Sequence, residues 1–258
     1  MQRFDTRERG LSILTIASIV GTIVINAISN VYPIKGLNVG AISNTVFAGV
    51  VITPANYAFA IWGVIYLGII AFGIYQLSPS RNRVLVQKLR MPLILASLCQ
   101  SLWVFQFLLR NFWLSVVLMI GILISLAIAF LEIYQPEHRL SRLDKWLIQI
   151  PFSVYFGWIS VATIVNIATA LYSINWDGGG ISPTVWTIIL SVIAAAIASV
   201  ITIRYRDVAF TAVIVWALVA IAVRHASQLA ISSTTVGLAI GLVVLALFAQ
   251  TKLGRRSQ

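Results

Sequence analysis

Charged residues are scarce in this 258-residue chain, and their scarcity excludes most classes of protein. Only 10% of the residues are charged and 60% are hydrophobic, whereas a soluble domain is about 25% charged and about half apolar. A water-soluble fold of this composition would expose large apolar patches and aggregate. Soluble enzymes, secreted scaffolds and disordered chains are therefore excluded, and a polytopic membrane protein remains.

The residues that usually carry metal or redox chemistry are also few. The single cysteine, Cys99, cannot form a disulfide within the chain or a paired-cysteine metal site. The two histidines, His138 and His225, are too few for a histidine metal cluster. The sequence predicts no metal site and no required cofactor.

Acidic residues number seven, and all of them lie in tails, loops or the ends of apolar segments. Catalysis inside a membrane normally uses paired carboxylates, histidines or a metal within the helix bundle, and proton-coupled pumps usually bury a carboxylate. No pair of nucleophile and base is visible. We therefore expect a protein that is neither an enzyme nor a proton pump.

Long apolar runs dominate what is present. They do not alternate in polarity as barrel strands do, so they are predicted to be helices. The fold class is an all-α polytopic membrane protein with eight transmembrane helices. The predicted spans are 11–29, 54–77, 91–109, 112–133, 146–171, 183–203, 208–223 and 227–250. Thr53-Pro54 and Ser182-Pro183 each place a capping hydroxyl before a proline at a helix start, and Pro151 is predicted to kink the fifth helix.

Basic residues alternate strongly between the two sides of these spans. Three of the 18 Lys and Arg residues, Lys35, Arg110 and Arg224, fall on one side, and the other 15 fall on the opposite side. Cytoplasmic loops carry the excess of Lys and Arg. The pattern predicts that both termini are cytoplasmic, with a bacterial-type inner or plasma membrane as the expected location. Basic composition therefore reflects topology and not a nucleic-acid partner.

Four of the eight tryptophans lie inside spans and not at their edges. The edge residues, which fit an interfacial aromatic belt, are Trp113, Trp146, Trp176 and Trp186. The interior residues are Trp62, Trp103, Trp158 and Trp216. Intramembrane amides, including Gln100 and Asn166, lie near these interior tryptophans. They either form hydrogen bonds between helices or orient a ligand. The loop over 30–53 is either a lid over an outward-facing pocket or a passive interfacial segment.

Three motifs follow one another in order along the chain. The first runs from Thr53-Pro54 to Trp62-x3-Tyr66, the second is Gln100-x2-Trp103-x3-Phe107, and the third is Trp158-x3-Ala162-Thr163-x2-Asn166. Together they resemble helices two, three and five of the TspO/translocator family, the tryptophan-rich sensory proteins, with Gln100 in place of the usual asparagine.

The resemblance implies a five-helix bundle over 1–176, followed by a three-helix extension over 177–258. It also implies a receptor, often a homodimer, that binds a porphyrin or a similar flat apolar ligand in an aromatic cavity, with a sensory or transport role. The implied ligand-binding residues are Tyr57, Phe59, Trp62, Tyr66, Gln100, Trp103, Phe107, Trp158, Ala162 and Asn166. A small-molecule permease and a porphyrin-degrading membrane enzyme are the alternatives.

Overall fold

The computed structural model describes residues 6–78 and 82–254, and its regular elements there are helical. The eight long helices are α1 (Thr6–Val31), α2 (Ile61–Tyr75), α3 (Arg83–Leu108), α4 (Phe112–Ile133), α5 (Ile150–Ser173), α6 (Pro183–Tyr205), α7 (Val208–Arg224) and α8 (Leu229–Gly254). The predicted all-α class is confirmed.

Seven helical segments of the described chain are long and apolar enough to cross a membrane. The segment containing α2 reaches this length because a 3₁₀ turn at Asn56–Ala60 precedes it. The exception is α7, whose 17 residues rise about 25 Å at the usual helical pitch, somewhat less than a hydrocarbon core of about 30 Å. The chain is a multi-pass membrane protein in which the predicted seventh span is a shorter apolar helix.

One of the two predicted helix starts is correct. Ser182 caps α6, since its hydroxyl accepts a hydrogen bond from the Val185 N–H and Pro183 occupies the first turn. Thr53-Pro54 does not begin a helix. The chain stays irregular there because the Ala55 N–H donates to the Ala220 carbonyl of α7 at 3.1 Å, and the α-helix begins only at Ile61.

The third helix begins eight residues before the predicted position, at Arg83. Basic residues assigned to a loop therefore lie on the helix. Arg90 is buried, and its Nε donates to the Gln76 side chain at 2.9 Å while a terminal nitrogen reaches the Glu8 carbonyl at 3.4 Å. These acceptors allow a charged residue to continue the helix where its hydropathy predicts an end.

Close contacts join α2 to the beginning of α5. A Cβ atom added at Gly68 would lie 3.0 Å from the Pro151 Cβ, closer than an ordinary van der Waals contact, so the missing side chain of glycine favours this approach. The rings of Phe72 and Phe152 meet edge to face, with centroids 5.0 Å apart. A π-type turn at Lys145–Gln149 directly precedes the helical segment containing Pro151, which is consistent with the backbone hydrogen bond that proline cannot donate.

The chain divides into two compact units, and the boundary crosses α5. The first unit comprises Met1–Val39 and Trp62–Ile159, and within it α3 packs against α1 and α4. The second comprises Gly40–Ile61 and Ser160–Gln258, and within it α8 packs against α6 and α7. The division at 176/177 expected from the resemblance stays a prediction.

Candidate functional site

Aromatic rings from α2 and α5 form a cluster in the first unit. Trp62 and Tyr66 stack with centroids 5.5 Å apart, and Tyr155 meets the Trp62 ring edge to face at 6.1 Å. Trp158 is buried and follows Tyr155 by three residues, so both side chains project from the same face of α5. Tyr155 is not among the residues predicted from the sequence, although its spacing from Trp158 could have identified it.

A second group of predicted residues lies along one face of α3. Gln100, Trp103 and Phe107 are spaced as neighbours on successive turns, and all three are buried. The Trp103 and Phe107 rings lie 5.2 Å apart between centroids. Phe107 also meets Phe112 of α4 edge to face at 5.4 Å, which fixes the end of this row of rings.

Gln100 is the most unusual side chain of this face. It is 0% exposed, and neither its amide nitrogen nor its amide oxygen has a hydrogen-bond partner. Leaving a buried polar group unsatisfied costs about 1–3 kcal/mol. The nearly buried Gln76, by contrast, donates to the Ser12 carbonyl and accepts from Arg90. Gln100 therefore retains capacity for a polar atom of a bound molecule or an ordered water.

The remaining predicted site residues belong to the second unit. Tyr57 is 41% exposed, and its ring meets Trp216 of α7 edge to face at 5.2 Å. Phe59 and Ala162 are half-buried, and Asn166 is buried. Trp216 is thus a partner of the 3₁₀ turn that precedes α2, a role that its mid-span position did not reveal.

The first loop packs into the second unit through its apolar residues. Phe47, Val50 and Ile52 are buried, and Phe47 meets Tyr172 of α5 edge to face at 5.8 Å. A Cβ atom added at Gly49 would lie 2.6 Å from the Tyr172 hydroxyl, so the backbone lies directly on that ring. These side chains are covered by protein, which argues against a passive interfacial segment.

Hydrogen bonds from α7 and its C-terminal end hold the same loop and the 3₁₀ turn that follows it. Arg224 donates to the Asn44 side chain at 2.9 Å, and the ring Nε2 of His225 lies 2.8 Å from the Val51 carbonyl. The Trp216 indole donates to the Ala58 carbonyl at 3.1 Å. A helix of the predicted C-terminal extension therefore fixes the position of the first loop.

One group of potential metal ligands occurs among the described residues, and it is an ion-pair network. Oxygen and nitrogen atoms of Glu132, Glu137 and His138 lie within 4.8 Å of one another. The Lys88 ammonium is 2.6 Å from Glu132 and 3.7 Å from Glu137. Because this cation already occupies the carboxylates, the group is explained without a metal ion.

Comparison with known families adds one finding. The family model described as TSPO-like protein matches residues 12–248. No curated protein and no solved structure matches the chain. The matched region contains the aromatic residues of α2, α3 and α5, and it continues through α6 and α7 into α8. The chain, with its ordered tryptophan motifs and its multi-pass helical fold, therefore belongs to the family of TSPO-like proteins.

Proposed function

We propose that this membrane protein binds a tetrapyrrole or a similar flat apolar ligand among the aromatic side chains of α2, α3 and α5. The observation that carries the proposal is Gln100, a wholly buried amide with no hydrogen-bond partner, one helical turn from the Trp103–Phe107 pair. Ligand pockets combine apolar and aromatic walls with a few convergent polar groups. Gln100 supplies such a polar group on this face.

Aromatic rings favour a flat ligand because stacked or edge-to-face pairs contribute about 0.5–1.5 kcal/mol beyond the burial of their area. Trp62 and Tyr66 offer stacked faces on α2, and Trp103 and Phe107 offer a second pair on α3. In the proposal these rings contact the ligand faces while the Gln100 amide orients one polar edge. Trp158 of α5, which belongs to the same unit, completes the proposed contacts. Tyr57, Phe59, Ala162 and Asn166 stay residues that only the family resemblance implies.

Arg110 is the proposed partner for a carboxylate on the ligand. The other two predicted external cations already have acceptors, because Lys35 donates to the Leu109 carbonyl at 3.1 Å and Arg224 donates to Asn44. Arg110 is exposed and lies in the turn between Phe107 and Phe112, whose rings are in contact. A charge-assisted hydrogen bond from Arg110 to a carboxylate of the ligand would favour an acidic tetrapyrrole over its ester, which has no carboxylate.

The wider role that we propose is a non-enzymatic receptor with a sensory or transport function. Both termini lie in the cytoplasm, and the protein forms a homodimer in a bacterial-type inner membrane. The basic-residue alternation supports this orientation. No cofactor is required, and no nucleic acid is a partner.

The test is a titration of the protein in lipid nanodiscs with protoporphyrin IX, followed by the shift of the porphyrin absorption band. Trp103→Leu and Trp158→Leu are expected to weaken binding about tenfold, which corresponds to ~1.4 kcal/mol. The matched controls are Trp113→Leu and Trp146→Leu, since both indoles are largely exposed. Absence of binding at micromolar porphyrin, or equal losses in all four variants, would reject the proposal.

A second ligand tests Arg110. Arg110→Ala is expected to weaken binding of protoporphyrin IX but not of its dimethyl ester, and equal weakening of both would exclude the ion pair. The same samples test the alternatives. Light- or oxygen-dependent bleaching of the bound porphyrin that requires Trp62 would favour an enzyme, and uptake of the ligand into proteoliposomes would favour a permease.

A further inference from the structure

A small cavity lies within the second unit, between the first loop and helices α5, α6 and α7. Its walls are aliphatic apart from one polar side chain, Ser191; they include Ile52, Val165, Ala194, Ala217 and Leu218. None of the ten residues of the proposed tetrapyrrole site lines it. It is therefore a separate candidate site that the sequence motifs did not indicate.

Ser191 differs from three other hydroxyl residues of α6. The hydroxyls of Thr187, Ser199 and Thr202 donate to the backbone carbonyl four residues earlier, at 2.7–2.8 Å. The Ser191 hydroxyl is 1% exposed and has no hydrogen-bond partner. A buried hydroxyl without a hydrogen-bond partner in the protein is costly, so the cavity contains a polar atom able to bind an occupant.

The size of the cavity limits the occupant. The narrow part of the cavity, behind its open mouth, has a volume of about 20 Å³, only a little more than the ~10–15 Å³ that one water molecule needs. The narrow part therefore admits a group of a few atoms but no ring system. The tetrapyrrole proposed above is excluded from this site on size alone.

The lining limits the chemistry of the occupant. A buried water normally makes two to four hydrogen bonds, and the side chains lining this cavity offer one hydroxyl. A hydrocarbon chain would fill the aliphatic part and leave Ser191 unsatisfied. A molecule that satisfies both conditions is thin, uncharged and mostly apolar, with a single oxygen at one end.

We propose that this cavity binds the oxygen-bearing end of a thin, uncharged alkyl molecule, of which a medium-chain primary alcohol is the simplest example. The oxygen of the alcohol forms a hydrogen bond with the Ser191 hydroxyl in the narrow part of the cavity. The alkyl chain lies along the aliphatic walls towards the mouth of the cavity. Ala194 sets the available width because it is a small residue one turn from Ser191 on α6.

The experiment is photolabelling of the full chain in nanodiscs with two probes, a hexanol carrying a diazirine and the corresponding hexane carrying a diazirine. Labelled positions are mapped by mass spectrometry. The hexanol probe is expected to label the peptides that contain Val165 and Leu218, and unlabelled hexanol is expected to compete. Labelling distributed evenly over lipid-exposed peptides, or without competition, would overturn the proposal.

Three variants sharpen the test. Ser191→Ala is expected to reduce labelling by the hexanol probe about threefold to tenfold, the effect of one ordinary hydrogen bond, and to leave the hexane probe unchanged. Ala194→Phe fills the space and is expected to abolish labelling by both probes, whereas Ala196→Phe on the exposed face of the same helix is not. Equal effects of Ser191→Ala on both probes, or no effect of Ala194→Phe in a folded protein, would contradict the assignment.

Discussion

The two compact units each bury a polar side chain that has no hydrogen-bond partner, but they surround it differently. In the first unit, Gln100 lies on the helix face of Trp103 and Phe107. In the second, Ser191 lines a narrow cavity among aliphatic side chains. The comparison indicates that the residues around an unsatisfied polar group select its ligand. Flat rings favour a flat molecule, and a narrow cavity with aliphatic walls favours an alkyl chain.

The units also differ in how they are held together. Large rings such as Phe72 and Phe152 fill the contact between α2 and α5 in the first unit. In the second unit, buried alanines lie on α6, α7 and α8, and hydrogen bonds join α7 and its C-terminal end to the first loop. We therefore expect ring deletions to act on stability mainly in the first unit, and hydrogen-bond deletions to act mainly on the order of the loop.

The largest expected effect is that of Phe72→Ala. Phe72 is fully buried, so its removal leaves a cavity and is expected to lower the free energy of unfolding by about 3–5 kcal/mol. SDS titration in mixed micelles measures this quantity. Phe105→Ala, at an exposed position of α3, is the control and is expected to change it by less than about 1 kcal/mol. Similar losses in the two variants would show that ring packing does not support the first unit.

Gln100→Leu is expected to act in opposite directions on stability and binding. Removal of an unsatisfied buried amide should raise the free energy of unfolding of the ligand-free protein by about 1–3 kcal/mol, while porphyrin affinity falls. The control is Gln76→Leu, which removes a buried amide that has partners and should destabilise the protein. If both variants are destabilised equally, Gln100 has a structural role instead.

Arg224→Ala is expected to loosen the first loop in the second unit. The variant removes the hydrogen bonds to the Asn44 side chain and to the Pro54 carbonyl. The free energy that holds the loop in place is expected to fall by ~1.4 kcal/mol, which corresponds to about tenfold faster opening of the loop. Hydrogen exchange of residues 40–61 measures it. Arg204→Ala, which removes a charge from α6 without a bond to the loop, should leave the exchange unchanged. Equal exchange in both variants would show that α7 does not secure the loop.

The smallest expected effect is that of Ser182→Ala. It removes the hydroxyl that caps α6 and is expected to lower the free energy of unfolding by about 1 kcal/mol. Thermal unfolding is sufficient to detect it, with Thr184→Ala, at a half-buried position of the same turn, as the comparison. A loss as large as that of Phe72→Ala would contradict the view that the second unit tolerates single changes at its edges.

The all-α fold class, the family and most helix positions could be predicted from the hydropathy of the sequence and the spacing of its motifs, since both are local properties of the chain. The start of α3 could not, because Arg90 continues the helix only through contacts with Gln76 and Glu8 that are distant in sequence. The irregular stretch around Thr53 likewise depends on the carbonyl of Ala220. The ten predicted ligand-binding residues stay a prediction, although Trp62 contacts Tyr66 and Trp103 contacts Phe107.

The sequence by itself determined that this chain lies in a bilayer as a set of apolar helices, because too few charged residues exist to solvate its surface. It also placed the tryptophans and Gln100 in register on their helices, since a period of 3.6 residues needs no tertiary information. Only the tertiary structure decided that Gln100 and Ser191 are buried without partners and that α7 secures the first loop. Those features depend on which distant segments fill the space around each side chain, and no local pattern encodes that.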